Sequence, residues 1–184
     1  MKRIVGIGEL IVSTTPEDLL ITYALGSCLG IAVSDIDRGI GGLIHCQLPT
    51  AKSSSAKDSS TSAQFVDSGV LALLDEMLSL GADKRRLVIK VAGGIRAQDN
   101  LNLFKIAERN YTVLRKLLWK NNLLIEAEDV GGTSPRTMSL DVSSGRVVIQ
   151  SLGREYELEK SAAFNQLPTH CANPAATVTA LCFR

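Results

Sequence analysis

Residues 29–48, LGIAVSDIDRGIGGLIHCQL, decide the fold, because two strand-like runs flank a short turn. From residue 29 to residue 34, large and small side chains alternate, which is the two-residue period of a β-strand. The DIDRG segment that follows is rich in turn residues, and the remainder is again strand-like. The stretch therefore predicts a β-hairpin. We expect it to close over residues 35–38, with Ser34 opposite Gly39.

Outward from this hairpin, the chain predicts further strands on both sides and two helices. The predicted strands are residues 2–13 (one strand or a pair), 19–23, 86–91, 123–130, 137–142 and 146–151. The first helix is expected to begin after a cap at Ser60 or Ser62 and to end near Gly81, and the second to span residues 102–120. Because the strands outnumber the helices and cluster before and after them, we predict an α+β fold with mixed or antiparallel sheets.

The domain organisation follows from length and local composition. At 184 residues the chain fits one domain with a sizeable core, which we place at residues 1–160. Residues 50–62 are nearly all small and polar, so they predict a mobile loop. Residues 161–184 have few charges and no periodicity, which favours a flexible C-terminal tail.

Charge and hydropathy exclude several classes of protein. Lys and Arg number 20 against 19 Asp and Glu, so no bulk attraction to nucleic acid or anionic lipid is expected. No apolar run has the length of a signal peptide or the roughly 18 residues that a spanning helix needs. We therefore expect a cytoplasmic protein without nucleic-acid binding or membrane insertion, in which the four cysteines remain reduced.

The hairpin also suggests a reactive pair. In the predicted register, Cys28 and His45 face each other on one side of the sheet, with Cβ atoms about 5 Å apart. An imidazole at that distance can take a thiol proton, and the resulting thiolate–imidazolium pair has a lowered thiol pKa. The small residues Gly26 and Ser27 leave the adjoining backbone open to a substrate and its oxyanion. The pairing depends on register, since a slip of one residue places Cys46 opposite Cys28 instead.

Other interpretations of these residues compete with a catalytic pair. A cysteine in a strand is most often an ordinary core residue, and Thr22 by itself is a common strand residue. His45-Cys46 is poorly suited to a metal, because adjacent strand residues point to opposite faces. His170-Cys171 lies in the expected tail. We therefore predict no metal and no cofactor.

The motif Thr22-x-x-Leu25-Gly26-Ser27-Cys28, followed by His45-x-x-Leu48-Pro49, resembles the signature of the CheD family of chemoreceptor glutamine deamidases. The likeness extends over roughly residues 2–150 in the family's order, through residues 7–9, 93–94, 106–110, 127–132, 135–136 and 145–147.

The resemblance implies a layered α/β arrangement around β-sheets, similar to the cysteine deamidases of the cytotoxic necrotizing factor group. It assigns the nucleophile to Cys28, the base to His45 and a third active-site role to Thr22. The implied reaction is hydrolysis of glutamine side-chain amides on chemoreceptor cytoplasmic domains, through a thioester. A CheC-type phosphatase is the second partner that the resemblance implies.

Two other functions stay open on the sequence. An adaptor that binds the phosphatase or the receptors without catalysis would keep the fold, and the thiol reactivity of Cys28 distinguishes it. A thiol esterase acting on receptor glutamyl methyl esters would share the acyl-enzyme route, and release of methanol rather than ammonia would reveal it.

Overall fold

The computed structural model describes residues 1–51, 63–95 and 101–160. Most of the predicted loop at 50–62 and all of the predicted tail at 161–184 lie outside the described residues.

The described chain forms ten strands and two α-helices in two five-stranded sheets. The strands are β1 (Lys2–Ile4), β2 (Leu10–Ser13), β3 (Leu19–Leu25), β4 (Leu29–Asp35), β5 (Ile40–Cys46), β6 (Val88–Gly93), β7 (Ala127–Val130), β8 (Arg136–Asp141), β9 (Val147–Ser151) and β10 (Arg154–Glu157). The helices are α1 (Val66–Ser79) and α2 (Leu101–Lys120). The central sheet has the order β2-β5-β4-β6-β7, and the outer sheet has the order β1-β3-β8-β9-β10. The pairs β1/β3 and β6/β7 are parallel and the others antiparallel, so the predicted α+β class with mixed sheets is confirmed.

The central sheet lies between the helices and the outer sheet. The large residues of β4 are buried in the core that contains both helices: Leu29, Ile31 and Val33. Its small residues face the outer sheet, where Ala32 packs in a second core with Met138. The alternation of large and small side chains therefore reflects a strand that is buried on both faces, with the closer approach on the side of the second sheet.

The register of the first hairpin differs from the prediction by two residues. Asp35 pairs with Ile40, so the predicted closure over residues 35–38 is wrong. The turn itself is a 3-10 segment, Ile36–Arg38, which ends at Gly39 in the left-handed conformation with φ +63°.

A buried ion pair explains why Asp35 remains in the strand. Its carboxylate is fully buried and accepts hydrogen bonds from the Arg86 guanidinium at 2.9 Å and from the backbone N–H of Asp83 at 2.7 Å. The hydrogen bond from Arg86 is the main reason why the pKa of Asp35 lies below its ordinary value. These hydrogen bonds hold Asp35 within β4.

Helix α1 begins later than predicted, at Val66 instead of directly after Ser60 or Ser62. Phe65 is extended, with φ −105° and ψ 139°, because it pairs with Leu48 in an isolated parallel bridge. The N–H of Val66 donates to the Leu48 carbonyl at 2.8 Å. The helix can therefore start only after this bridge, and its first residue carries no side-chain cap.

The remaining elements agree with the predictions in type but not in every bound. Helix α2 starts within one residue of the predicted position, and the predicted strand at 2–13 is a pair whose members join different sheets. The strand predicted at 123–130 is confined to β7, and β10 is absent from the prediction. Neither described helix combines the length and the apolar character needed to cross a membrane.

Candidate functional site

The site lies where the chain passes from the outer sheet to the central sheet. A bulge between Thr22 and Leu25 ends the regular pairing of β3 with β8, and Ala24 within it has φ +55°. Residues 26–28 then connect β3 to β4. The predicted site residues are therefore collected at one end of the interface between the two sheets.

Cys28 lies directly before β4, and His45 lies within β5. His45 pairs directly with Gly30, so the predicted direct pairing with Cys28 is wrong. Continued one position beyond β4, this register would place Cys28 opposite Gln47 and diagonal to His45, and diagonal neighbours in a regular sheet are separated by about 7–8 Å. Both residues are buried, with 9 % of Cys28 and 1 % of His45 exposed.

Thr22 reaches His45 from the opposite sheet. Its Oγ1 atom lies 2.7 Å from His45 Nδ1, and the threonine is completely buried. The sheets approach closely here, since a Cβ atom at Gly30 would lie 2.7 Å from Leu25 Cδ1 and 3.0 Å from Met138 Sδ. The hydrogen bond between Thr22 and His45 fixes the plane of the imidazole between the sheets.

The second imidazole nitrogen is the one available for chemistry. His45 Nε2 is buried and has no hydrogen-bond partner in the described part of the chain. When Nδ1 carries the proton and donates it to Thr22 Oγ1, Nε2 keeps a lone pair that can accept a proton. Such an imidazole is arranged to act as a general base.

Burial favours the neutral forms of both groups. It raises the pKa of the Cys28 thiol above its ordinary value and lowers the pKa of His45 below its ordinary value. The expected thiolate–imidazolium pair is therefore not what these surroundings favour. A neutral thiol and a neutral imidazole fit these surroundings better.

The turn at residues 26–28, which carries Cys28, is held through its carbonyl groups. The Gly26 carbonyl accepts from the N–H of Ile95, and the Cys28 carbonyl accepts from the N–H of Gly94, both at 2.8 Å. The N–H groups of Ser27 and Cys28 donate to no other backbone group in the described residues. A Cβ atom built at Gly26 would meet nothing within 4 Å, so open space adjoins this turn.

The structure adds Asn110, to which the sequence analysis assigned no role. This residue of α2 is completely buried, and its Nδ2 atom donates to the carbonyls of Ser27 at 3.2 Å and Gln47 at 3.0 Å. The available signal was its position on the apolar stripe of the helix, close to the buried residues Ala107 and Leu114. A polar residue on a buried helical face needs partners, and here the partners adjoin the site.

The competing thiol and metal sites receive no support. The Cys46 thiol faces the helices and lies 3.9 Å from the Phe65 carbonyl, and burial raises its pKa further than that of Cys28. Within residues 1–51, 63–95 and 101–160, no three His, Cys, Asp or Glu side chains form a group that could hold a metal ion. The pair His170-Cys171 lies outside these ranges.

A groove of about 520 Å³ opens at the same end of the outer sheet. It begins at Ala24 and continues along β8, β9 and β10, and its lining residues are Ala24, Pro135, Arg136, Thr137, Gln150, Ser151, Leu152, Gly153, Arg154 and Glu155. Cys28 is not among these residues, so this groove lies near the turn at residues 26–28 without containing the thiol.

Comparisons with known proteins agree with the motif. The family model described as CheD chemotactic sensory transduction matches residues 47–151. A protein of Solibacter usitatus, named "Probable chemoreceptor glutamine deamidase CheD", is 40% identical over 158 residues, which cover 86% of this chain and 94% of that protein. A protein of the same name from Pyrococcus horikoshii is 38% identical over 163 residues, covering 87% of this chain and 99% of the relative.

A third relative, named "Probable chemoreceptor glutamine deamidase CheD 1" in Syntrophus aciditrophicus, is 41% identical over 150 residues, covering 82% of this chain and 94% of that protein. The family model matches more than half of the chain, and the relatives match nearly their whole length. The chain belongs to the CheD family.

Proposed function

We propose that this protein hydrolyses the side-chain amide of glutamines on chemoreceptors to glutamate, with Cys28 as the nucleophile and His45 as the base. The observation that carries the proposal is the buried hydrogen bond of 2.7 Å between Thr22 and His45, in a strand whose partner strand begins directly after Cys28. It aligns an imidazole and leaves its second nitrogen without a partner in the described residues. The names of the relatives supply the substrate class.

Acylation begins with proton transfer from the Cys28 thiol to His45 Nε2. The sulfur attacks the carboxamide carbon of the glutamine, and the carbonyl oxygen becomes an oxyanion. The N–H groups of Ser27 and Cys28 are the candidate donors to that oxygen. Protonated His45 then donates its proton to the leaving nitrogen, ammonia departs, and a thioester joins Cys28 to the substrate.

Deacylation repeats these steps with water as the nucleophile. His45 removes a proton from water, the hydroxide attacks the thioester carbon, and the proton passes to the departing Cys28 sulfur. The net reaction consumes one water and produces glutamate and ammonia. Thr22 holds the ring through both stages, since Nδ1 can donate to its hydroxyl oxygen whether or not Nε2 is protonated.

The proposed setting is the cytoplasm, where the substrate is the cytoplasmic domain of a chemoreceptor. Each converted glutamine introduces a negative charge in place of a neutral amide, and such a change can bias a conformational equilibrium in the receptor. A CheC-type phosphatase is the proposed second partner, on the family resemblance alone.

The direct test is ammonia release from a purified receptor cytoplasmic domain incubated with the full chain. Mass spectrometry of receptor peptides locates the mass increase that accompanies conversion of an amide to an acid. We expect ammonia in a one-to-one ratio with converted glutamines. Methanol from a methylated receptor, without ammonia, would indicate the esterase instead, and tight receptor binding without either product would indicate the adaptor.

Replacing Thr22 by valine is expected to lower kcat/KM of ammonia release by about 10²-fold, because the ring loses the partner that fixes its orientation and tautomer. Valine has the shape of threonine without the hydroxyl. Thr22→Ser, which keeps a hydroxyl at the same position, is the matched control and should retain most of the activity. Equal rates for Thr22→Val and the wild type would show that the hydrogen bond has no part in catalysis.

The pH dependence of kcat/KM should show an acid limb with a midpoint below the ordinary histidine pKa of 6.5, because burial lowers the pKa of His45. Activity is lost as pH falls through this pKa, since protonated His45 cannot accept the thiol proton. Burial also raises the thiol pKa above 9.0, so a plateau is expected from neutral pH up to that value. A bell-shaped profile that declines near neutrality would instead indicate a preformed thiolate–imidazolium pair.

A further inference from the structure

Asn110 connects the helical layer to the two strands that carry the proposed nucleophile and base. Its Nδ2 group donates to the carbonyl of Ser27, directly before Cys28, and to the carbonyl of Gln47, two residues after His45. The regular pairing of β4 and β5 stops at Leu29 and Cys46, so the next positions outward are Cys28 and Gln47. The buried side-chain amide of Asn110 thus bridges these two segments at the point where the pairing of β4 with β5 ends.

The contact to Ser27 completes a series of three held carbonyls. The Gly26 carbonyl accepts from the N–H of Ile95, and the Cys28 carbonyl accepts from the N–H of Gly94. Asn110 is the donor to the carbonyl between them, and it is the only one of the three donors that is a side chain.

Holding the Ser27 carbonyl also sets the direction of the Cys28 N–H. The two groups belong to the same planar peptide unit, and in a trans peptide they point in opposite directions. The described chain contains no cis peptide bond. A donor at the Ser27 oxygen therefore turns the Cys28 N–H away from α2, where it can donate to the oxyanion that forms on the carbonyl oxygen of the substrate when the sulfur attacks.

The other polar atom of this side chain, Asn110 Oδ1, is also buried. Both acceptors of Nδ2 are backbone carbonyls that adjoin Cys28 or the end of β5, so this amide is placed to position those two segments.

We propose that Asn110 is a positioning residue that orients the Cys28 N–H as the oxyanion donor. This inference rests on the proposed nucleophilic role of Cys28. The inference predicts different effects on two reactions of the Cys28 thiol. Acylation by p-nitrophenyl acetate passes through an oxyanion: the sulfur–carbonyl bond forms, p-nitrophenolate leaves, and the thiol proton goes to His45. Alkylation by iodoacetamide displaces iodide at a saturated carbon and forms no oxyanion.

The experiment compares both rates at Cys28 in the full chain, with peptide mass spectrometry to resolve the four cysteines. Asn110→Ala is expected to lower the acylation rate by about tenfold to a hundredfold, while the alkylation rate changes by less than about threefold. Asn121→Ala is the matched control, because Asn121 Nδ2 donates to the Leu117 carbonyl at 2.9 Å after the same helix, away from Cys28. Both rates should keep their wild-type values in this variant.

A loss of both reactions in equal measure would overturn the inference, because loosening of the whole turn affects any reaction of the thiol. Absence of acylation in the wild type would overturn it as well. Should Asn110→Ala fail to fold by circular dichroism, Asn110→Ser keeps one donor and is expected to lose acylation selectively, to a smaller extent. Selective loss in a protein that releases no ammonia from receptors would support the positioning role and reject the receptor substrate.

Discussion

Replacement of Cys28 by alanine is expected to abolish ammonia release, with kcat falling by about 10⁴-fold or more, because no other described thiol can take its place. His45→Ala should have a comparable effect, since the thiol pKa is raised by burial and the sulfur needs a base at neutral pH. The double variant should be no slower than either single variant, because nucleophile and base act as one unit. The measurement is kcat for ammonia release from the receptor cytoplasmic domain.

Cys46→Ala is the matched control for these variants. Cys46 is a buried thiol next to His45 in sequence, but it faces the helices. Its replacement should cost stability, by about 1 kcal/mol for a small buried side chain, and leave kcat within a few-fold of the wild type. Loss of activity in Cys46→Ala together with retention in Cys28→Ala would identify Cys46 as the nucleophile and reject the proposed mechanism.

The pairing of the two strands of the first hairpin could be predicted from the sequence, but their register could not. Side chains in a strand alternate with a period of two, so any even shift preserves the face that each residue occupies. The register itself depends on Asp35, whose carboxylate is held by Arg86, a residue 51 positions further along the chain. No local feature of the turn reveals that contact, because 35–38 and 36–39 are both rich in turn residues.

The contacts of Thr22 and Asn110 show a second limit of the sequence. The CheD-like motif identifies Thr22, but its hydrogen bond to His45 joins two different sheets, whose packing has no local signal in the sequence. Asn110 could have been recognised as unusual from its position on an apolar helical stripe. Its partners could not, since they are backbone carbonyls 83 and 63 residues away.

Local features explain why the start of α1 and the presence of β10 were not predicted from the sequence. Phe65 is extended by its bridge to Leu48, which delays α1, and a bridge of one residue leaves no periodic signal. Strand β10 has the sequence REYE with its first three residues exposed, so it lacks the apolar alternation by which strands are predicted. Edge strands of this kind carry charged side chains that protect the sheet from further pairing.

Gly93 is a position where even the addition of one methyl group should affect both activity and stability. It ends β6 with φ +112°, and a Cβ atom added there would overlap the carbonyl oxygen of Cys28. That oxygen is backbone and is already held by the N–H of Gly94 at 2.8 Å. The overlap can therefore be relieved only when β6 and the turn at residues 26–28 move apart.

Gly93→Ala is accordingly expected to lower kcat/KM by about 10²-fold, because displacement of the Cys28 peptide misdirects its N–H. It should also destabilise the protein by about 3 kcal/mol, from backbone strain at positive φ together with the overlap. Gly81→Ala is the control: Gly81 has φ +99°, and a Cβ atom there would meet nothing within 4 Å. Gly81→Ala introduces the backbone strain without the overlap, so its free energy of unfolding should fall by about 1–2 kcal/mol while kcat/KM stays unchanged. Equal kinetics and equal thermal unfolding for the two variants would show that close contact between β6 and Cys28 is not required, whereas loss of activity in Gly93→Ala alone would tie catalysis to the position of that peptide.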